Sequence, residues 1–539
     1  MSTANDDGRA GDARPARSAA GDRSPWLIAV VVSIATFMQV LDTSIANVAL
    51  RNIAGTLAAG VDESTWVITT YLVASAVIVP ISGWLLGVVG RKRFYMICVA
   101  LFTASSLLCG LAPSLSMLIF FRVLQGLGGG GMVPSEQAIL ADTFPPRQLA
   151  QGFALYGIAV IIAPTIGPTV GGWITDNLSW HWIFFINVPI GIGSLLLVHW
   201  LLVEPEILQR ERRERLAAGL KVDWIGMALI GLALGALEIV LDKGQREDWF
   251  QSSFIVAFAI VSAVSFVIFV PWELIRSDPI VDIRLLCRRQ FGTSFLMMMM
   301  VGATLFSTTQ LMPQLLQESF GYTATLSGLV LMPGGVAMLF MMPIAAQLTN
   351  LIRPKYLIAL GMLILAVALW HFTSLPPDAS FDYFAWARVF QMIGMPFLFV
   401  PITTASYSDL PPDKTNQASA LINVARNIGG SIGVSMAITI VAQREQFHQF
   451  RLTSHVFPSS LQYRQALEQA ESYFVAQGAT HADAQREALG WIGMTIQNQA
   501  ALLSYIDVFW MFAIAVAVFV PVALLLLRPG SQPSASVMH

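Results

Sequence analysis

Asp42 and Arg122 are ionisable residues set inside stretches of chain that are otherwise almost wholly apolar. Desolvation favours the proton on a carboxylate and a neighbouring guanidinium favours its charge, so a site held between the two can load and release a proton. Asp42 lies about two turns from one end of its helical segment, and Arg122 lies at a similar depth in another, which makes Arg122 its natural counter-charge. Thr36, Gln39, Asp42, Thr43, Ala46 and Asn47 follow i, i+3, i+4, i+7 spacing and share one polar or small face. Inside a membrane such a face lines a cavity, because lipid would leave its polar groups unsatisfied. Gln39, Thr43 and Asn47 are therefore expected beside Asp42 in a substrate cavity. The competing reading of Asp42 is a static ion pair that locks two helices, and for Arg122 a structural role in the bundle.

The arginine recurs. Arg122-Val123-Leu124-Gln125 is followed by Asp142 and Pro145-Pro146-Arg147. Arg388-Val389-Phe390-Gln391, 266 positions later, is followed by Asp409, Pro411-Pro412 and Lys414, and Gly167 maps onto Gly433 by the same shift. A long apolar unit present twice points to a duplicated membrane chain, and in transporters duplication puts the substrate site between the halves. Arg388, Gln391 and Arg426 are expected at that cavity. Either arginine can attract an anionic group of the substrate or pair with a carboxylate, since an unpaired intramembrane charge is costly. Glu238 is a weaker candidate, in a helix expected to pack peripherally.

The elements that must position these residues are membrane helices. The chain is 55% hydrophobic and 12% charged, with a mean hydropathy of +0.65, against about 25% charged for a soluble domain. Fourteen apolar stretches start near Trp26, Trp66, Phe94, Leu115, Gln151, Trp182, Asp223, Phe254, Phe291, Thr325, Tyr356, Phe384, Gln417 and Ile506. Each is near the ~20 residues that cross a bilayer as a helix, which predicts an all-α membrane protein. The leader before Trp26 has no cleavage site and predicts an uncleaved first helix. With the N-terminus inside, 21 of the 31 basic residues fall on one side, among them Arg91, Lys92, Arg93, Arg147, Arg353, Lys355 and Lys414. Only Arg51, Lys243 and Arg246 lie in short loops opposite. The positive-inside rule then predicts that both termini are cytoplasmic.

Adding the 266-residue shift to the first helix start lands beside Phe291, so the repeat is six helices plus six. The expected division is a cytoplasmic tail over 1–25 and a six-helix bundle over 26–203. A charged linker and two inserted helices follow over 204–290, then a second bundle over 291–528 and a tail over 529–539. Within the second bundle, 443–505 reads as a long external loop with short amphipathic helices. Helix five carries Gly157, Pro164, Gly167, Pro168, Gly171 and Gly172, a small-residue ridge for close packing with prolines that can bend it, which suits a rocking interface.

Several chemistries are excluded. Gly126-Leu127-Gly128-Gly129-Gly130-Gly131 spells a dinucleotide fingerprint but lacks its strand–helix setting, and no Walker A sequence supports ATP-driven transport. The scattered histidines and Cys98, Cys109 and Cys287 make no metal pattern or disulfide framework. No cofactor, nucleic-acid partner or enzyme nucleophile is expected. Met297 to Met300 read as lipid-facing filler.

These residues together resemble the major facilitator superfamily, in its fourteen-helix drug:proton antiporter branch, and within it EmrB-type pumps. The resemblance rests on Leu41-Asp42-Thr43-Ser44-Ile45-Ala46-Asn47-Val48-Ala49, Arg122-Val123-Leu124-Gln125-Gly126, Ala163-Pro164-Thr165-Ile166-Gly167-Pro168-Thr169-Val170-Gly171-Gly172, Trp182-Ile183-Phe184-Phe185-Ile186-Asn187-Val188-Pro189-Ile190-Gly191 and Gly321-Tyr322-Thr323-Ala324-Thr325. It implies the major facilitator fold and export of varied hydrophobic compounds across a bacterial inner membrane in exchange for protons. Asp42 and Arg122 would couple the proton, and helix five would discourage leak. It also implies an EmrA-like periplasmic adaptor and a TolC-like outer-membrane channel, with 443–505 as the adaptor contact. The chain departs from the family after helix two. Gly83, Gly90, Arg91 and Lys92 of the cytoplasmic gate are present, but Gly87 stands where the superfamily usually has Asp. The rival readings are a narrow-specificity transporter of a metabolite or siderophore, and a non-transporting membrane scaffold or sensor.

Overall fold

The computed structural model describes residues 24–526, apart from 146, 205, 218–221, 277–278, 377, 409, 412–413, 455 and 458. The tails and Pro146, Asp409 and Pro412 of the repeated motif lie outside these. The first six membrane helices are α1 (Pro25–Thr56), α2 (Trp66–Val89), α3 (Arg91–Gly110), α4 (Leu115–Thr143), α5 (Leu149–Asn177) and α6 (Asn187–Leu201). The inserted pair is α7 (Trp224–Lys243) and α8 (Ser253–Ile275). The second set is α9 (Arg289–Ser319), α10 (Ala324–Leu351), α11 (Pro354–His371), α12 (Phe381–Tyr407), α13 (Thr415–Thr453) and α14 (His481–Leu526). Among the described residues thirteen helical segments are each long and apolar enough to cross a membrane alone, α6 counting from Trp182, and α5 is a bent pair that does so as one span. It turns by 43° between Leu149–Pro164 and Ile166–Asn177, where Pro164 and Pro168 each remove a backbone donor.

The duplication is visible in the packing. In the first half α1 packs on α5, α2 on α4 and α3 on α6, and in the second α9 packs on α13, α10 on α12 and α11 on α14. The halves meet through the reciprocal contacts α5–α10 and α2–α13. The inserted α7 lies against α2 and reaches α13, while α8 presents Val261, Val264, Val267 and Ile268 outward along one side.

Small residues set how closely these helices approach. A side chain at Gly126 of α4 would strike Tyr71 and Ala74 of α2, and one at Gly128 would strike the α3 backbone at Cys98 and Phe102. The glycine run that mimics a nucleotide motif is thus a packing surface, wedging α4 between α2 and α3. In the second half Gly429 abuts the Met299 backbone and Gly302 abuts that of Arg426. Gly429→Val is expected to cost about 1–3 kcal/mol or more, because neither backbone can give way. Gly493→Ala, where nothing lies within 4 Å, is expected to leave the melting temperature of the purified protein unchanged or slightly raised, since alanine is the better helix former.

Three local expectations change. Met297 and Met298 are buried in the hydrophobic core rather than facing lipid, and Met299 packs its backbone on Gly429 of α13. Residues 443–505 are not chiefly a loop. α13 continues to Thr453, α14 starts at His481, and a helix over Leu461–Ala476 packs on α14. The Asp507 carboxylate of α14 takes Arg444 Nε at 2.5 Å and His448 Nε2 at 2.8 Å, so this helical extension is mounted on the bundle. Glu238 is not peripheral. It is buried and accepts a hydrogen bond from Ser431 Oγ of α13 at 2.8 Å.

Candidate functional site

Asp42 sits deep in the first half, 2% exposed. Its Oδ2 receives Arg122 Nη1 of α4 at 2.6 Å, and its Oδ1 receives Gln125 Nε2 at 3.0 Å and Asn187 Nδ2 of α6 at 2.7 Å. Arg122, fully buried, also donates through Nε to the Val67 carbonyl of α2 at 2.9 Å and through Nη1 to Gln125 Oε1 at 2.8 Å. Its guanidinium lies 4.3 Å from the centroid of the Tyr71 ring, a cation–π contact that strengthens out of water. Residues three apart on one helix share a face, which is why Arg122 and Gln125 converge on one carboxylate. Asn187, in the turn entering α6, completes the cage while donating to Ser106 Oγ at 3.0 Å.

The same cage is built again. Arg388 Nη1 of α12 donates to Gln391 Oε1 at 2.7 Å and to Thr308 Oγ1 at 3.2 Å, Nη2 donates to Thr309 Oγ1 at 2.9 Å, and Gln391 Nε2 donates to Thr308 Oγ1 at 2.8 Å. Thr308 and Thr309 stand 266 positions after Asp42 and Thr43. The two cages differ at their centre: a carboxylate in the first, a hydroxyl in the second. Among the described residues no carboxylate pairs with Arg388.

The other expected cavity residues spread out. Gln39 donates to Tyr71 Oη at 2.8 Å, Thr43 turns back to the Val40 carbonyl at 2.8 Å, and Asn47 is exposed. Arg426 of α13 donates to Tyr156 Oη of α5 at 2.6 Å, pairing with the opposite half rather than with a carboxylate. On helix five, Gly167 and Gly171 pack against Ser44 and Ile45 of α1 within the first half, whereas Gly157 meets Met342 and Phe399 and Gly172 faces Thr325 across the seam.

One end of the bundle carries Arg91, Lys92, Arg147, Arg353, Lys355 and Lys414, and here the halves are tied together. Asn423 Nδ2 donates to Gln137 Oε1 at 2.7 Å, Ser419 Oγ to the Pro134 carbonyl at 2.6 Å, and Asn350 Nδ2 to the Arg147 carbonyl at 3.0 Å. Gly83 lies against Asn416, Gln417 and Ala420 of α13. Gly90 joins α2 to α3 at φ +95°, a left-handed conformation that suits glycine. Arg91 pairs with Asp142 of α4 and donates to the Ala138 carbonyl at 3.0 Å, its backbone N–H donates to Glu204 at 3.1 Å, and Lys92 donates to the His199 carbonyl at 2.7 Å. Asp142 and Glu204 thus bring carboxylates to the loop whose usual Asp position is Gly87. Gln137→Ala removes a cross-half contact, and a hydrogen bond is worth about 0.5–1.5 kcal/mol. It is expected to raise modification of a cysteine introduced at Ala420, in a protein carrying Cys287→Ser, by up to about 10-fold.

Sequence reasoning did not assign Asn187, Gln125 or Thr308 to the site, nor Glu136. Gln125 and Thr308 were available from the repeat. Asn187 had one signal, a lone amide within an apolar stretch. Glu136 had another, a carboxylate within reach of α4.

The sequence profile of the Major Facilitator Superfamily matches residues 32–434, and the chain belongs to that superfamily. Its relatives are of the EmrB type. It is 37% identical over 488 residues to the multidrug export protein EmrB of Escherichia coli (strain K12), covering 90% of this chain and 92% of that one. It is 33% identical to the fatty acid resistance protein FarB of Neisseria gonorrhoeae, over 93% of this chain and 96% of that one. The solved proton:xylose symporter XylE shares the fold, with a TM-score of 0.57 at 13% identity, covering 92% of this chain and 96% of that structure.

Proposed function

We propose that this chain is a proton-coupled exporter of hydrophobic compounds, a multidrug antiporter of the bacterial inner membrane, with the basic end and both termini in the cytoplasm. The observation that carries it is the pair of cages. The second cage holds a buried arginine with Thr308 at its centre, so this architecture folds around an arginine without a carboxylate. Asp42 is then an addition that packing does not require, and a buried carboxylate is functional by default. A protonated Asp42 turns from acceptor to donor at one oxygen and can no longer hold Arg122 as a charge pair. Arg122 would then be free to rearrange as the halves rock. The relatives named for multidrug export supply the substrate class. The outer extension, exposing Phe450, Phe457, Leu461, Tyr473 and Met494, gives an EmrA-like adaptor an apolar surface to dock on, and a TolC-like channel would complete the path.

A second reading has its own support. Arg388, a buried cation whose partners among the described residues are hydroxyls and an amide, suits an anionic amphiphile, and one relative is named for fatty acid resistance. Accumulation of ethidium, rhodamine 6G and a fluorescent fatty acid in cells with and without the protein, before and after a protonophore, separates the two. Reduced accumulation of all three, reversed by the protonophore, is the expected result. Reduction of the fatty acid alone would favour the narrow reading.

A further inference from the structure

Glu136 of α4 plays no part in the Asp42 cage, yet it is a second carboxylate buried completely within the first half. Its Oε1 accepts a hydrogen bond from Ser33 Oγ of α1 at 2.5 Å, and among the described residues its Oε2 has no donor in hydrogen-bond geometry, although Thr36 of α1 lies close enough to act on the carboxylate. A buried carboxylate oxygen left without a donor is costly unless it is used. Two further buried atoms on the same face of α1 share that condition, Thr36 Oγ1 and Gln39 Oε1. Ser33, Thr36, Gln39 and Asp42 are spaced three apart, so adjacent members neighbour one another while the series winds about half a turn around α1. The series runs about 14 Å along α1 from Ser33 to Asp42. Both ends are carboxylates, each engaged by the partner helix. Asp42 of α1 is held by Arg122 of α4, and Glu136 of α4 is held by Ser33 of α1.

Successive members of the series rise about 4.5 Å along the helix axis, a spacing at which a bridging water can link neighbouring polar groups. Thr36 can accept and donate through one hydroxyl. Gln39, whose Nε2 is committed to Tyr71, leaves Oε1 to orient a water. From Glu136 the chain leads to the basic end, where Gln137 of the next position ties the halves together. The charged and titratable groups around Glu136 are Tyr95 of α3, Tyr156 of α5 and Arg426 of α13.

We propose that Glu136 is a second proton-carrying site, linked to Asp42 through the Ser33–Thr36–Gln39 series and passing protons between Asp42 and the basic end. This rests on the antiport reading above. In the transfer the O–H bond at Asp42 breaks and one forms at Glu136, each intervening hydroxyl or water accepting one proton and donating another. Asp42 returns to a carboxylate and Glu136 becomes a neutral acid.

The test uses ethidium with the full chain in proteoliposomes, comparing transport driven by a pH gradient with exchange of labelled for unlabelled ethidium at equal pH. Exchange needs binding and rocking but no net proton movement. For Glu136→Gln, gradient-driven transport is expected to fall by about 10-fold or more, with exchange within about twofold of wild type and Glu136→Asp restoring part of the driven rate. Driven transport by Glu136→Gln at the wild-type rate, with Asp42→Asn inactive, would overturn the relay and leave the antiport reading standing. Parallel loss of driven transport and exchange, unrescued by Glu136→Asp, would assign Glu136 a structural role and also overturn it. A wild type that moves ethidium equally with and without the gradient would overturn both readings.

Discussion

Replacing Arg122 with alanine is expected to cost about 3–5 kcal/mol, because it strands the Asp42 carboxylate in the membrane interior without its counter-charge. Arg122 also supplies the hydrogen bonds that fix Val67 and Gln125, so the loss spreads across α1, α2 and α4. The double variant Arg122→Ala/Asp42→Asn removes both charges and is expected to recover about half of that loss or more, since the single variant's penalty is largely the unpaired charge. The melting temperatures of the four proteins in one detergent measure this cycle. Strict additivity would mean that the two side chains do not act as a pair.

Asp42→Asn is the second large effect, and it falls on function rather than folding. An amide of nearly the same shape can still accept from Arg122 or Gln125, and the Arg388 cage shows that this surrounding tolerates a neutral centre. Its melting temperature is expected to stay within a few degrees of wild type, a change of about 1 kcal/mol. Efflux from cells is expected to fall by about 100-fold or more, the scale of losing a positioned proton carrier. Asp42→Glu, which restores a titratable group but pushes it against Asn187, is expected to recover only a small part.

The sequence carries much of this arrangement. Equal depth from one end of the bundle was enough to pair Asp42 with Arg122, and the 266-residue shift carries the cage to Arg388 and Gln391. What it did not carry has physical causes. Counting one membrane thickness from Leu115 ends α4 before Glu136, but α4 runs to Thr143, because its glycine run keeps it buried between α2 and α3 past the usual length. Charges from Arg444 onward lower the hydropathy of α13, yet its backbone continues to Thr453, since the ion pairs with Asp507 replace lipid burial. Asn187 reaches Asp42 only through the turn that folds α6 back across α1, which no spacing along the chain encodes.

The central claim is that Asp42 is where proton and substrate are coupled. The most direct measurement is proton release from acid-loaded proteoliposomes, read by an enclosed pH dye, when hydrophobic substrates are added outside to wild type and to Asp42→Asn. Release triggered by substrate in wild type and absent in Asp42→Asn, with both proteins folded, is the predicted result. Equal substrate-triggered release from both proteins would contradict it and move the coupling elsewhere in the bundle.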